Sequence, residues 1–175
     1  MIVPMTVRHF LDRALAVYPD RIAVVDEPDQ PAASWGELTY RELAARARAQ
    51  AAALDELGVS VGGRVAMMSQ NSARQFVSFF GVSGWGRVLV PINFRLAPAE
   101  VAYILEHSGA EVLLIDPELA HIADEVDCKH VFVLGADDHK IWGSTGTPKE
   151  WVADENATAT INYTSGTTAR PKGVQ

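Results

Sequence analysis

Five short apolar strings, RIAVVDE, RVAMMSQ (64–70), VLVPIN (88–93), EVLLID (111–116) and HVFVLG (130–135), recur along the chain with helical stretches between most of them. This pattern constrains the fold more than any other feature. A strand with one wet face alternates apolar and polar residues. A run that is apolar at nearly every position must be covered on both faces. Strands of that kind, spaced by helices, predict a mostly parallel sheet flanked by helices, an α/β domain built from crossover units.

The helices carry their own punctuation. TVRHFLDRALAVYP places Val7, Phe10, Leu11, Ala14, Leu15 and Tyr18 at helical spacing, with Thr6 as N-cap and Pro19 as a stop. ELTYRELAARARAQAAALDELGV is the clearest helix: Thr39 and Glu42 make a capping box, and Gly58 closes it. SARQFVSFFGVSGWG reads as one amphipathic helix capped by Asn71 or Ser72. APAEVAYILEHSG has Pro98 in its first turn and Gly109 at its end, and PELAHIADEV reads as a short helix. From Ala136 to Ala157 the pattern fails, and 135–157 reads as a surface connection. TATINY then reads as a strand leading into the last segment, 161–175.

Composition narrows the function. The formal net charge is -7, which argues against a nucleic-acid partner, since phosphodiester binding uses basic patches. A small anionic ligand remains open, because converging backbone N–H groups can outweigh net charge. The single cysteine, Cys128, cannot form an intrachain disulfide, which fits a reducing, cytoplasmic setting. It has His130 nearby but no orienting third group, so it reads as structural. The N-terminal stretch lacks the long apolar core of a signal peptide, and no apolar run is long enough to span a membrane. His9, His107, His121, His130 and His139 show no metal-ligand spacing, and no Ser-His-Asp arrangement emerges.

The segment INYTSGTTARPKGVQ carries the chemistry. Thr164, Ser165, Gly166, Thr167 and Thr168 are five consecutive hydroxyl or glycine residues, followed by Arg170, Pro171 and Lys172. Glycine lets backbone N–H groups converge on an oxygen, hydroxyls add rotatable donors, and lysine adds a full charge on a long stem. These are the parts of a phosphate cradle. The spacing is not that of a Walker loop, in which lysine follows the second glycine and a hydroxyl residue comes next. On composition alone a plain hairpin turn would also fit. A second hydroxyl- and glycine-rich stretch, GSTGTPKE (143–150), has no apolar strand leading into it and reads as connection.

YTSGTTARPKGV resembles the phosphate-binding signature of the adenylate-forming superfamily, whose common form is Y-T-S-G-T-T-G-x-P-K-G-V. The likeness extends through LTYRELAARARAQAAALDELGVSVGGRVAMMSQNS and VLVPINFRLAPAEVAYILEHSGAEVLLID, over nearly all of residues 6–175, and the wording is most similar to the acyl-CoA synthetase branch. The resemblance implies that residues 1–175 form the N-terminal subdomain of the AMP-binding large domain, incomplete without later sequence. It implies that Thr164, Ser165, Gly166, Thr167, Thr168 and Lys172 line the β- and γ-phosphates of ATP, and that Thr164 reaches magnesium. It implies a parent enzyme that activates a carboxylic acid, on this wording a fatty acid, with ATP and passes the acyl group to coenzyme A. No catalytic side chain is expected in this chain, which is then expected to be inactive alone. Its expected macromolecular partner is the remaining C-terminal part of the same enzyme or a second copy. A non-catalytic nucleotide-binding or interaction fragment, a peptide-synthetase adenylation domain and an aryl-CoA ligase are the alternatives. Ala169 departs from the signature's glycine; if that position needs positive φ, alanine costs roughly 1–2 kcal/mol. Asn93 and Arg95 also match the family wording and are expected to be structural.

Overall fold

The computed structural model describes residues 4–164 and 171–175. At its centre are four parallel strands, β3 (Arg64–Met68), β4 (Val88–Ile92), β5 (Ala110–Ile115) and β6 (His130–Val133), in the order β4-β3-β5-β6. Register runs Val65↔Leu89 and Met67↔Pro91 on one side of β3, and Val65↔Val112 and Met67↔Leu114 on the other. Alternate side chains point to opposite faces, and both faces are covered. Val65, Met67, Leu89, Val112 and Leu114 join a core with α1 (Val7–Val17), α2 (Tyr40–Glu56) and α3 (Ala73–Gly81). Ala66, Met68, Val90, Ile92, Leu113 and Ile115 join a second core with Val101, Ile104 and Leu105 of α4 (Pro98–Ser108). The near-continuous apolar strings are therefore explained by two cores back to back. From β3 the chain crosses one way through α3 to β4, then back the other way through α4 to β5. Crossovers of one hand put those two helices on opposite faces.

Local signals set most element ends. In α2, Thr39 Oγ1 accepts from Glu42 N at 3.3 Å and Glu42 Oε2 accepts from Thr39 N at 2.8 Å, the expected capping box. Ser72 is the residue that caps α3. Gly109 ends α4 at φ 64, a conformation closed to most side chains.

Several expectations need correction. RIAVVDE does not enter the parallel sheet: β1 (Ile22–Val25) pairs antiparallel with β2 (Glu37–Thr39), a three-residue strand with no sequence signal. Ile22 and Val25 are 54% and 72% exposed, so this apolar string is not sandwiched. The third helix stops at Gly81, and Ser83–Trp85 continues as a 3-10 turn that Gly86 closes at φ 76. The short helix expected in PELAHIADEV is present, as a 3-10 helix over Pro117–Glu125.

The 135–157 connection is pinned to the body rather than lying wholly on the surface. It contains α5 (Asp138–Ile141), buries Ile141 and Trp142, and Trp151 Nε1 donates to Gly84 O at 3.2 Å. TATINY is not one strand. Ile161 N donates to Leu89 O at 2.9 Å and Leu89 N donates to Ala159 O at 3.0 Å, beside β4. The chain then departs as β7 (Asn162–Thr164), which pairs antiparallel with β8 (Lys172–Val174). No helix among the described residues is long and apolar enough to cross a membrane.

Candidate functional site: the β7–β8 hairpin

The hairpin is in register Asn162↔Val174, Tyr163↔Gly173 and Thr164↔Lys172. Because side chains alternate across a strand, the hairpin has two unlike faces. Thr164 and Lys172 share one, and both residues are exposed. Lys172 makes no ion pair among the described residues, so its charge is uncommitted there. Of the six residues proposed from sequence as phosphate ligands, these two are placed directly opposite each other. Ser165, Gly166, Thr167 and Thr168, together with Ala169, lie outside the described residues.

The other face is an anchor. Tyr163 packs against the second core beside Ile161, and its Oη lies 2.8 Å from His107 Nδ1. His107 stacks on Tyr103 at 5.3 Å and meets the edge of Tyr163 at 5.8 Å. Burial and the neighbouring Tyr103 push the Tyr163 phenol above its usual range, against a hydrogen bond with Ser108, so it holds its proton at neutral pH. Gly173 makes room for the ring. A Cβ there would come within 2.9 Å of Ile161 Cγ2 and 3.3 Å of Tyr163 Cζ. The contact walls an open cavity of about 500 Å3, shared with Arg64 and Val88.

Sequence reasoning did not find this anchor. The one available signal was Tyr103 and His107 at i, i+4 spacing on α4, an aromatic pair on one helix face. Their meeting with Tyr163, 56 residues from His107, is a tertiary event.

The competing residues have structural occupations. In GSTGTPKE, Ser144 Oγ donates to Glu56 Oε1 at 2.8 Å and Lys149 N donates to Asp55 Oδ2 at 2.7 Å. Its donors already serve two carboxylates at the end of α2, a poor setting for phosphate. Asn93 Oδ1 accepts from Arg95 N at 3.0 Å, shaping the turn after β4, as expected for structural residues. Cys128 Sγ points at the carbonyls of Ala110 and His130, and burial raises its thiol pKa, the opposite of an activated nucleophile. No group of three or more His, Cys, Asp or Glu among the described residues could hold a metal ion.

Comparison with known proteins now bears on the hairpin. Residues 11–175 match the family model described as AMP-binding enzyme. The chain is 35% identical over 182 residues to a long-chain-fatty-acid–CoA ligase of Thermus thermophilus, covering 94% of this chain and 32% of that protein. It is 32% identical over 186 residues to 4-hydroxybutyrate–CoA ligase 2 of Metallosphaera sedula, covering 94% of this chain and 33% of that protein. Among solved structures, the anthranilate CoA ligase AuaEII in complex with anthranoyl-AMP superposes with a TM-score of 0.86 at 28% identity, over 99% of this chain and 34% of that one. The chain thus spans about a third of the length of the curated relatives it matches. A family match from the first helix through β8, on a fold that superposes along its whole length, leads to one conclusion: this chain belongs to the AMP-binding, adenylate-forming enzyme family.

Proposed function

We propose that the β7–β8 hairpin is the phosphate-binding element of an ATP-dependent acid–thiol ligase. The observation that carries this reading is the register Thr164↔Lys172, with both residues exposed on the same face of the hairpin. That face offers a hydroxyl donor and an uncommitted cation side by side, flanking the residues Ser165–Thr168, whose hydroxyl and glycine composition suits a polyphosphate. In the reaction proposed for the protein carrying this chain, a carboxylate attacks the α-phosphorus of ATP. This gives an acyl-adenylate and pyrophosphate, and the thiol of coenzyme A then displaces AMP. Donors fixed along the β- and γ-phosphates orient the leaving pyrophosphate and stabilise the charge that develops on it. Lys172 supplies the charge, and Thr164 and its neighbours supply hydrogen bonds. No side chain of this chain acts as nucleophile in that scheme.

Magnesium would share the charge on the leaving group when bound. Thr164 brings one neutral hydroxyl, and the described residues contain no cluster of metal-binding side chains around it. Such an ion would be held mainly by the phosphates of ATP, with Thr164 as the residue proposed to reach it, and no step is derived through it. For the acid, a fatty acid is the first substrate to try, because the Thermus thermophilus relative is named for one. Hydroxy and aryl acids follow, because other relatives are named for 4-hydroxybutyrate and 3-hydroxybenzoate.

The test is ATP–pyrophosphate exchange in the intact protein, with a panel of these acids, for wild type and Lys172→Met. Loss of one such donor is expected to slow exchange by roughly 10²-fold or more with the best acid. An unchanged rate in Lys172→Met would overturn the assignment.

A further inference from the structure

We propose that His107 is a positioning residue for this site: through its hydrogen bond to Tyr163 it fixes the β7–β8 hairpin against α4 and thereby sets where Thr164 and Lys172 present their donors. The inference rests on the reading of Thr164 and Lys172 as phosphate ligands.

The hairpin has three residues in each strand. A two-stranded ribbon of that size is marginal in water without outside support. Its base has support of its own, from the Ile161 N–H bonded to Leu89 O and an exposed Thr158 Oγ1 to Gln175 Oε1 bond of 3.0 Å. Nearer the Thr164 end, polar tethering gathers at Tyr163 Oη, 2.8 Å from His107 Nδ1, with Ser108 at the end of the same helix as a second partner. His107 is itself well held. It sits in the last turn of α4, whose Val101, Ile104 and Leu105 are buried in the second core, and it stacks on Tyr103 one turn earlier. The mechanical path therefore runs from core to α4, to His107, to the Tyr163 ring, and ends one residue from Thr164. Tyr163 also lies opposite Gly173, the neighbour of Lys172, so one contact constrains both strands. Gly173 lets the ring settle there, since any Cβ would crowd both Ile161 and Tyr163.

This differs from a role in stability alone. Among the described hairpin residues only Tyr163 packs on a core, and phenylalanine keeps its ring, so losing the polar contact changes the presentation of donors while leaving the melting temperature nearly alone. The experiment uses the intact protein and measures KM for ATP, kcat for exchange and the melting temperature. The variants are His107→Phe, Tyr163→Phe, the pair together and His107→Asn, with Lys172→Met beside them. Phenylalanine keeps the ring stack, and asparagine keeps a polar atom near the position of Nδ1. His107→Phe and Tyr163→Phe are each expected to raise KM for ATP roughly fivefold, the scale of one hydrogen bond, with kcat changed less. The double variant should be no worse than Tyr163→Phe alone, because that substitution already breaks the contact His107→Phe removes. His107→Asn should recover most of the loss. If Lys172→Met is impaired but both phenylalanine variants keep the wild-type KM, the positioning role is wrong and the phosphate reading stands. Additive losses in the double variant, or losses matched by a fall in melting temperature, also overturn it. If Lys172→Met itself is unaffected, the phosphate reading falls and the positioning role with it.

Discussion

Arg74 carries its charge where water hardly reaches, with a side chain only 2% exposed. It is held by Asp138, whose Oδ2 lies 2.6 Å from Nη2, by the carbonyl of Ala33 at 2.8 Å, and by the Trp35 ring 4.6 Å from the guanidinium carbon. Asp138 also accepts from Trp35 Nε1 and Gly135 N, so one carboxylate ties α3, the segment before β2 and the start of α5 together. Removing one partner of a buried pair leaves the other uncompensated, at a cost of about 3 kcal/mol or more. Asp138→Ala is expected to lower stability by that amount in chemical denaturation, and a change below about 1 kcal/mol would show that Arg74 finds another partner. The same scale explains why Cys128 and Ser144 of GSTGTPKE are poor candidates for chemistry. A reactive residue type counts for little until its neighbours are known, and theirs are backbone carbonyls or the carboxylate of Glu56.

Elements are also joined by a buried carboxylate. Asp26 follows β1, and its Oδ1 accepts from Ala73 N at 2.7 Å, the first residue of α3, while Oδ2 accepts from Trp35 N at 2.8 Å. Burial alone would raise its pKa. The N–H groups of Trp35 and Ala73, with help from Gln30 and Arg74, outweigh burial and hold the carboxyl below its ordinary value. The unfolded chain therefore binds the proton more readily than the folded one. The stabilisation is complete above the unfolded value of about 3.9 and is lost as pH falls from there through the folded value. Asp26→Asn is expected to be less stable than wild type by about 1–3 kcal/mol at neutral pH. The gap should narrow as denaturation is repeated at successively lower pH below about 4. A gap that stays constant into acid would contradict the charge assignment.

Legibility in the sequence also varied element by element. Helices with caps were readable because their signals are local: Thr39 with Glu42, and Pro98 with Gly109. β3, β4 and β5 are readable because burial on both faces leaves a continuous apolar run, and β6 shares their composition although as an edge strand it is only half-buried. β1 was misplaced because IAVV has the same composition as those runs, and only its partner, the three-residue β2, distinguishes it. In the site, residue types announced a phosphate cradle, whereas the register Thr164↔Lys172 and the His107 tether depend on pairings that no local window contains.

At the scale of the whole molecule, the two-faced sheet is a platform. β4 holds residues 159–161 at its edge, α4 rises on the neighbouring face, and the hairpin is fastened between them with its donor face turned away from the fastening. On the proposed reading, the phosphate donors Thr164 and Lys172 would be fixed relative to this platform. The central claim is that ATP phosphates lie against Lys172, and lysine mapping tests it most directly. The chain contains four lysines, Lys129, Lys140, Lys149 and Lys172. Lys140 is paired with Asp137 at 2.8 Å, and Lys149 lies in the GSTGTPKE connection. Labelling the intact protein with an acyl-phosphate derivative of ATP, then mapping the modified peptides, should mark Lys172 among these four and show protection by excess ATP. Labelling of Lys149, Lys140 or Lys129 with Lys172 left unmodified would contradict the account.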